Sequence, residues 1–200
     1  RIVEDGVKTV IVKAENVPDF LGPKKLLADR IYDEDPIGVV NGLAWTQVGG
    51  DMLEVEAASL PGSGKLELTG NMGKVMQESA KAAVSYVRAN AERYNIPSDF
   101  YKTKDIHIHA TESAVKKDGP SAGVTITTAL VSALTNCPVK RDVAMTGEVT
   151  IKGRVLAIGG LKEKSMAAYR GGVKTVFIPK SNEPDLADLD KEVLDNLKLI

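Results

Sequence analysis

Lys117-Asp118-Gly119-Pro120-Ser121-Ala122-Gly123 stands at the mouth of an apolar segment, and the reading of that segment decides the fold. Val124, Ile126, Leu130, Val131 and Leu134 recur there among several threonines. A strand would accept that β-branched content. The Pro-Ser-Ala-Gly start and the length favour a helix running toward Leu134, apolar nearly all round and therefore buried. Pro120 fits the first helical position, where a missing N–H leaves nothing unpaired. Asp118 suits a cap for the first turn. Ser121 then sits in that turn, among unpaired N–H groups at the positive end of the helix dipole. Such a setting suits a nucleophile whose attack creates an oxyanion. It equally suits a helix start that needs small residues for tight packing.

Outward from this segment, the chain reads as mixed α and β. Gly38 to Thr46 is a strand, Gly49-Gly50-Asp51 a turn, and Met52, Leu53, Val55 and Ala57 mark a second strand pairing back as a hairpin. Gly62-Ser63-Gly64-Lys65 hints at a phosphate loop, but that motif requires glycine at 59 and Ser or Thr at 66, where the chain has Ser59 and Leu66. It reads as a turn between strands. Lys74 to Tyr94 is a helix, with Met76, Ala80, Ala83, Val84, Val87, Ala91 and Tyr94 at steps of three and four, ended by Asn95 and Pro97. Asp105-Ile106-His107-Ile108-His109 alternates as a strand, with Asp105, His107 and His109 on one face. Those three could ligate a metal; a polar face that looks into a cleft or makes hydrogen bonds is the favoured reading. Residues 142–145 and 175–178 are buried strands, with a hairpin between them turning at Lys152-Gly153. Leu161 to Arg170 is a short helix closed by Gly171-Gly172. The tail, Asn182 to Leu197, forms one or two short helices.

Two hundred residues, 43% hydrophobic and 26% charged with a net charge of −1, describe an ordinary globular mix without a nucleic-acid footprint over the whole chain. Cys137 is the only cysteine, which excludes an intrachain disulfide and a cysteine metal cluster. No apolar run approaches the roughly 20 residues of a membrane span. No signal peptide is expected at the N-terminus as given, where Arg1 suggests an origin within a longer chain. Residues 1–35 differ from the rest. A β-like run, Val7 to Val12, precedes Pro18, Gly22 and Pro23, and Asp33-Glu34-Asp35 follows, as in a neighbouring module's tail with a linker or an arm docked on the main domain.

Ser121 needs a base. Gly119-x-Ser121-x-Gly123 matches the nucleophile elbow of hydrolases, but that fold places its histidine after the serine, and both histidines precede it here. Other triads do use that order, so His107 or His109 stays open as a base. A lysine is the third option, if burial lowers its pKa. Lys162 and Lys164 lie about 200° apart around a helix. Lys164 has Leu161, Ala167 and Ala168 as its three- and four-residue neighbours, and Lys162 has Ser165 and Met166, so Lys164 is the better candidate for a semi-buried amine. A solvent-facing place for both is the commoner fate of lysine.

Three stretches in combination, 117–123, Met145-Thr146-Gly147-Glu148 and Gly159-Gly160-Leu161-Lys162-Glu163-Lys164, closely resemble the proteolytic domain of the Lon (La) ATP-dependent proteases. Gly38 to Thr46 and Met76 to Ala80 are similar to it as well. The likeness covers about residues 36–200. Residues 1–35, with Asp19-Phe20-Leu21-Gly22, resemble the end of the ATPase module's small helical subdomain. The resemblance implies an α+β fold of twisted, mostly β sheets with packed helices and the serine at a helix N-terminus. It implies a serine endopeptidase with Ser121 as nucleophile and Lys164 as general base, degrading misfolded and short-lived regulatory proteins in a homohexameric chamber. Thr146 matches a threonine that helps hold the lysine amine, and Asp118 an aspartate that can pair with that lysine in inactive forms. Gly119 and His109 are further supporting positions, the histidines lining the strand near the site without acting as the base. No cofactor or metal is implied for this domain; ATP and Mg2+ belong to an upstream ATPase module. The partners implied are unfolded or degron-bearing proteins, with no membrane and no nucleic acid expected, in the bacterial cytoplasm or, less favoured, the mitochondrial matrix. Residues 110–116 replace a segment normally rich in Pro and Gly. That departure is the one feature favouring a non-enzymatic assembly module; a Ser–His hydrolase is the other rival.

Overall fold

In the computed structural model the described residues are 11–22, 34–46, 49–111 and 116–200. In chain order they form α1 (Val17–Leu21), β1 (Val39–Thr46), β2 (Gly49–Pro61), β3 (Leu66–Thr69), α2 (Lys74–Ala89), α3 (Phe100–Thr103), β4 (Lys104–Ala110), α4 (Gly123–Thr135), β5 (Val143–Met145), β6 (Glu148–Val149), β7 (Val155–Leu156), α5 (Leu161–Arg170), β8 (Thr175–Phe177), α6 (Lys191–Asn196) and β9 (Lys198–Leu199). Seven strands make one mixed sheet in the order β3-β4-β2-β1-β5-β8-β9, and β6 and β7 pair as a separate hairpin. The first hairpin, β1 with β2, is antiparallel from Val39↔Glu56 to Thr46↔Gly49. β1, β5, β8 and β9 then run parallel to one another.

The period-two alternation of β1 divides the core between the two sheet faces. Val40 and Ala44 join the cluster that holds Leu53 and Val55 of β2, Met76, Ala80 and Val87 of α2, and Ile126 and Leu130 of α4. Leu43 points into the opposite cluster with Ala144, Ala168 of α5, Val176, Val193 and Leu197. Thus α2 and α4 cover one face and α5 with α6 the other. Gly42 permits the close approach of α4, since a Cβ there would stand 2.9 Å from the Thr125 hydroxyl.

The helical reading of 123–135 holds, but its start differs. Pro120 is not the first helical residue; the helix begins at Gly123. Gly147 beyond β5 donates its N–H to the Ser121 carbonyl (2.8 Å) and accepts the N–H of Val124 (3.0 Å). Those backbone groups would otherwise close the first helical turn, so residues 120–122 form a turn instead, with the Gly123 N–H on the Pro120 carbonyl at 3.0 Å.

Three further boundaries shift. Gly49 and Gly50 belong to β2 rather than a turn, Gly49 paired with Thr46. α2 ends at Ala89, where the Asn90 side chain donates to the Tyr86 carbonyl at 2.9 Å; a 3-10 turn, Glu92–Tyr94, follows, closed by Asn95 at φ 55°. The tail is a 3-10 segment, Lys180–Asp188, then α6. The β-like run at 7–12 falls largely outside the described residues, and Ile11 and Val12 are exposed without regular structure. Of the unusual segment 110–116, residues 112–115 likewise lie outside them. Among the described residues no helix is long and apolar enough to cross a membrane.

Candidate active site

A cleft of about 460 Å³ opens at the C-terminal end of β1, lined by Leu43 to Thr46 of that strand, the stretch Lys116 to Ala122, Ala157 to Gly160, and Lys164. Ser121 and Lys164 reach it from opposite faces of the sheet. Ser121 sits just before α4; Lys164 projects from the first turn of α5. The bracketing glycines placed α5 correctly: Gly160 at φ 70° breaks the chain before Leu161, and Gly171-Gly172 ends the helix.

Lys164 is 2% exposed, whereas Lys162, on the other side of the helix, reaches an exposed Asp190 carboxylate at 3.2 Å. The Lys164 Nζ donates to Thr146 Oγ1 at 3.4 Å. No carboxylate pairs with this amine among the described residues. Burial alone lowers its pKa from 10.5 to about 8, because an ammonium loses its hydration there and gains no counter-charge.

Thr146 also donates to the Ser121 carbonyl at 3.4 Å, next to the Gly147 contact already described. A two-residue extension of β5 therefore holds the serine from one side and the lysine from the other. Around Ser121, the N–H groups of Gly119, Gly123 and Val124 have acceptors. Those of Ser121 and Ala122 have none among the described residues. Two unpaired donors next to a half-buried hydroxyl can stabilise negative charge on an oxygen held there.

Asp118 lines the same cleft but does not cap α4, and it does not touch Lys164. Its Oδ1 accepts the N–H groups of Val75 (3.0 Å) and Met76 (3.2 Å), the open end of α2, and that of Gly119 at 3.1 Å. Gly119, at φ 131°, is in a backbone conformation that favours glycine. Sequence reasoning could not find this cap, because the capped helix lies 43 positions away.

His109 and His107 sit elsewhere. Both project from β4, two strands from β1, and neither lines the cleft. The Thr69 hydroxyl meets His107 Nε2 at 2.8 Å and His109 Nδ1 at 2.7 Å. Among the described residues no group of three His, Cys, Asp or Glu side chains is placed to hold a metal ion. The loop at 62–65, read as a turn, has an anion-binding shape, but its anion is internal. Asp105 Oδ1 accepts the N–H groups of Ser63 (2.8 Å), Gly64 (2.9 Å) and Lys65 (2.8 Å), which hold that carboxyl below its ordinary pKa of 3.8.

Residues 11–200 match the family model described as the Lon protease (S16) C-terminal proteolytic domain. The chain is 59% identical to a Lon protease of Finegoldia magna over 198 residues, 99% of this chain and 26% of that protein. It is 57% identical to a Lon protease of Clostridium acetobutylicum over 200 residues, 100% of this chain and 26% of that protein. With the Lon protease of Escherichia coli K12 the identity is 50% over 198 residues, 99% and 25%. The chain thus spans about a quarter of the length of these curated relatives.

Proposed function

The chain belongs to the Lon protease family, matching its C-terminal proteolytic domain, and on that premise we propose that it is a serine endopeptidase domain working through a Ser121–Lys164 dyad. The observation that carries the dyad is the buried, carboxylate-free Lys164 amine in the cleft that Ser121 lines. A pKa of about 8 leaves roughly a tenth of the amine neutral at pH 7, against about one part in three thousand for an ordinary lysine.

The neutral Lys164 amine takes the Ser121 proton as the hydroxyl attacks a peptide carbonyl. The N–H groups of Ser121 and Ala122 receive the developing oxyanion. Lys164 then protonates the leaving amine, and water, activated by the same group, releases the acyl chain from Ser121. Thr146 accepts a hydrogen bond from the amine and keeps it on the serine side of α5.

For the whole protein we propose ATP-dependent degradation of unfolded or degron-bearing proteins by a homohexamer in the bacterial cytoplasm. Residues 1–35 would then be the end of the ATPase module, and ATP and Mg2+ would act upstream. Family membership supports this wider reading.

The test is hydrolysis of a fluorogenic, unfolded peptide at pH 8 by the full-length protein with ATP, beside its Ser121→Ala and Lys164→Ala variants. Loss in both is expected, with retention when His107 and His109 are both replaced by alanine. Activity surviving Lys164→Ala sinks the lysine base and returns attention to the histidines. A parent protein without activity makes the domain an assembly module. The rate should rise from pH 6 to about 9 as Lys164 deprotonates, and a flat profile would contradict its role.

A further inference from the structure

α2 begins without a cap of its own. Its N-cap residue is Gly73, whose φ of −69° and ψ of 170° are open to any residue, so the backbone does not demand glycine. Space does. A Cβ at 73 would stand 2.2 Å from the Asp118 carboxyl carbon. The oxygen that serine, threonine or aspartate ordinarily offers from the N-cap position comes here from Asp118, on the loop that leads to Ser121.

The same seam carries more bonds. Met72 and Lys117 form a parallel β-bridge. The Lys117 N–H donates to the Asn71 carbonyl (3.2 Å), the Gly73 N–H to the Lys117 carbonyl (2.7 Å), and the Ser79 hydroxyl to the Pro120 carbonyl (3.3 Å). The loop 117–120 is thus laid along the first turns of α2. Beyond it, among the described residues, Ser121 is held by Thr146 and Gly147 through its carbonyl.

We infer that Asp118 and Gly73 are positioning residues for the nucleophile: a helix cap supplied from another element staples the Ser121 loop to α2. This rests on the Ser–Lys reading for its kinetic consequence only. A cap in place on α2 is not the point of the device; the point is that it comes from the loop. The two roles separate experimentally, because removing the Asp118 carboxylate frees the space at 73 for a cap on α2 itself.

Four versions of the full-length protein decide it: parent, Asp118→Asn, Asp118→Ala, and the double variant Gly73→Ser with Asp118→Ala. Peptide hydrolysis gives kcat and KM. Hydrogen exchange gives the protection of the Val75 and Met76 amides, which report the cap, and of the Lys117 amide, which reports the loop. Asparagine caps about as well as aspartate, so Asp118→Asn stays within about threefold of the parent. Asp118→Ala loses about 10- to 100-fold in kcat, with KM within a few-fold, as expected for a misplaced reacting group. It also exposes all three amides to faster exchange. The double variant recovers protection at 75 and 76 but not at 117, and its kcat stays with Asp118→Ala. Recovery of kcat together with the cap would overturn the inference, as would parent-like kcat in Asp118→Ala. Ser121→Ala and Lys164→Ala are run alongside. If they retain activity, the dyad fails, and the Lys117 exchange still decides the staple.

Discussion

Replacing Lys164 by methionine should make the domain more stable at neutral pH while abolishing its chemistry. The native pKa of about 8 against 10.5 for a free lysine means that the folded state binds the proton far more weakly than the unfolded state. The sign follows from linkage. Below pH 8 both states carry the proton, and the full penalty of a buried ammonium is present, about 3 kcal/mol. Between pH 8 and 10.5 the unfolded chain stays protonated while the folded one does not, so stability rises with pH and the penalty fades. Methionine, unbranched and of similar length, fills the space without a charge. The variant should therefore exceed the parent by about 3 kcal/mol at pH 7, and by less than about half of that at pH 9.5. Urea unfolding of both proteins at the two pH values, followed by circular dichroism, measures the gap. A gap that is independent of pH, or a methionine variant less stable than the parent at pH 7, would refute a desolvated ammonium.

Thr146→Val removes the hydroxyl that meets both Lys164 and the Ser121 carbonyl, and kcat should fall about tenfold to a hundredfold in a protein that still folds, as peptide hydrolysis and a thermal melt will report. Asp105→Ala strands three N–H groups in the 62–65 loop. It should lower the melting temperature at pH 7 without altering kcat. Because the native Asp105 pKa lies below 3.8, this carboxylate stabilises above that pH, and the gap to the parent should close as pH falls through the native value. Gly160→Ala places a side chain at φ 70° with its Cβ 2.8 Å from the Trp45 ring. About 1 kcal/mol of stability should be lost, and fluorescence of Trp45, the only tryptophan, should shift as the ring is displaced; an unchanged spectrum would contradict the packing.

What was legible in the sequence was what neighbouring residues decide. The stripe from Met76 to Val87 and the alternation at 105–109 each come from one element meeting one core; the strand formed as read, and the helix formed with its end moved from Tyr94 to Ala89. Lys164 could be told from Lys162 because its three- and four-residue neighbours are apolar, and the fold buries it for that reason. Readings failed where a partner from elsewhere in the chain outbid the local one. Gly147 takes the Ser121 carbonyl and so moves the start of α4 from Pro120 to Gly123. Asp118, placed well to cap α4, is drawn to the bare end of α2. The parallel pairings of β1, β5 and β8 carry no local signature, because the order of strands across a crossover depends on which faces the intervening helices can cover.

The same non-local bonds explain how a fold can tolerate a buried lysine without a counter-charge and an interrupted helix start. Both features are unfavourable alone: the amine loses its hydration, and residues 120–122 forgo a helical turn. They meet at one short segment. Thr146 is anchored to β8 through its N–H on the Phe177 carbonyl at 3.1 Å, and Gly147 is anchored to α4 through Val124. A Cβ at Gly147 would lie 2.7 Å from a Val124 methyl and 2.8 Å from one of Val155, so any larger residue there must displace those side chains. The sheet end therefore holds the Ser121 carbonyl and the Lys164 amine from one short segment. Under the proposed dyad, catalytic geometry would be a property of backbone packing, with Thr146 meeting the Lys164 amine and the Ser121 carbonyl at once.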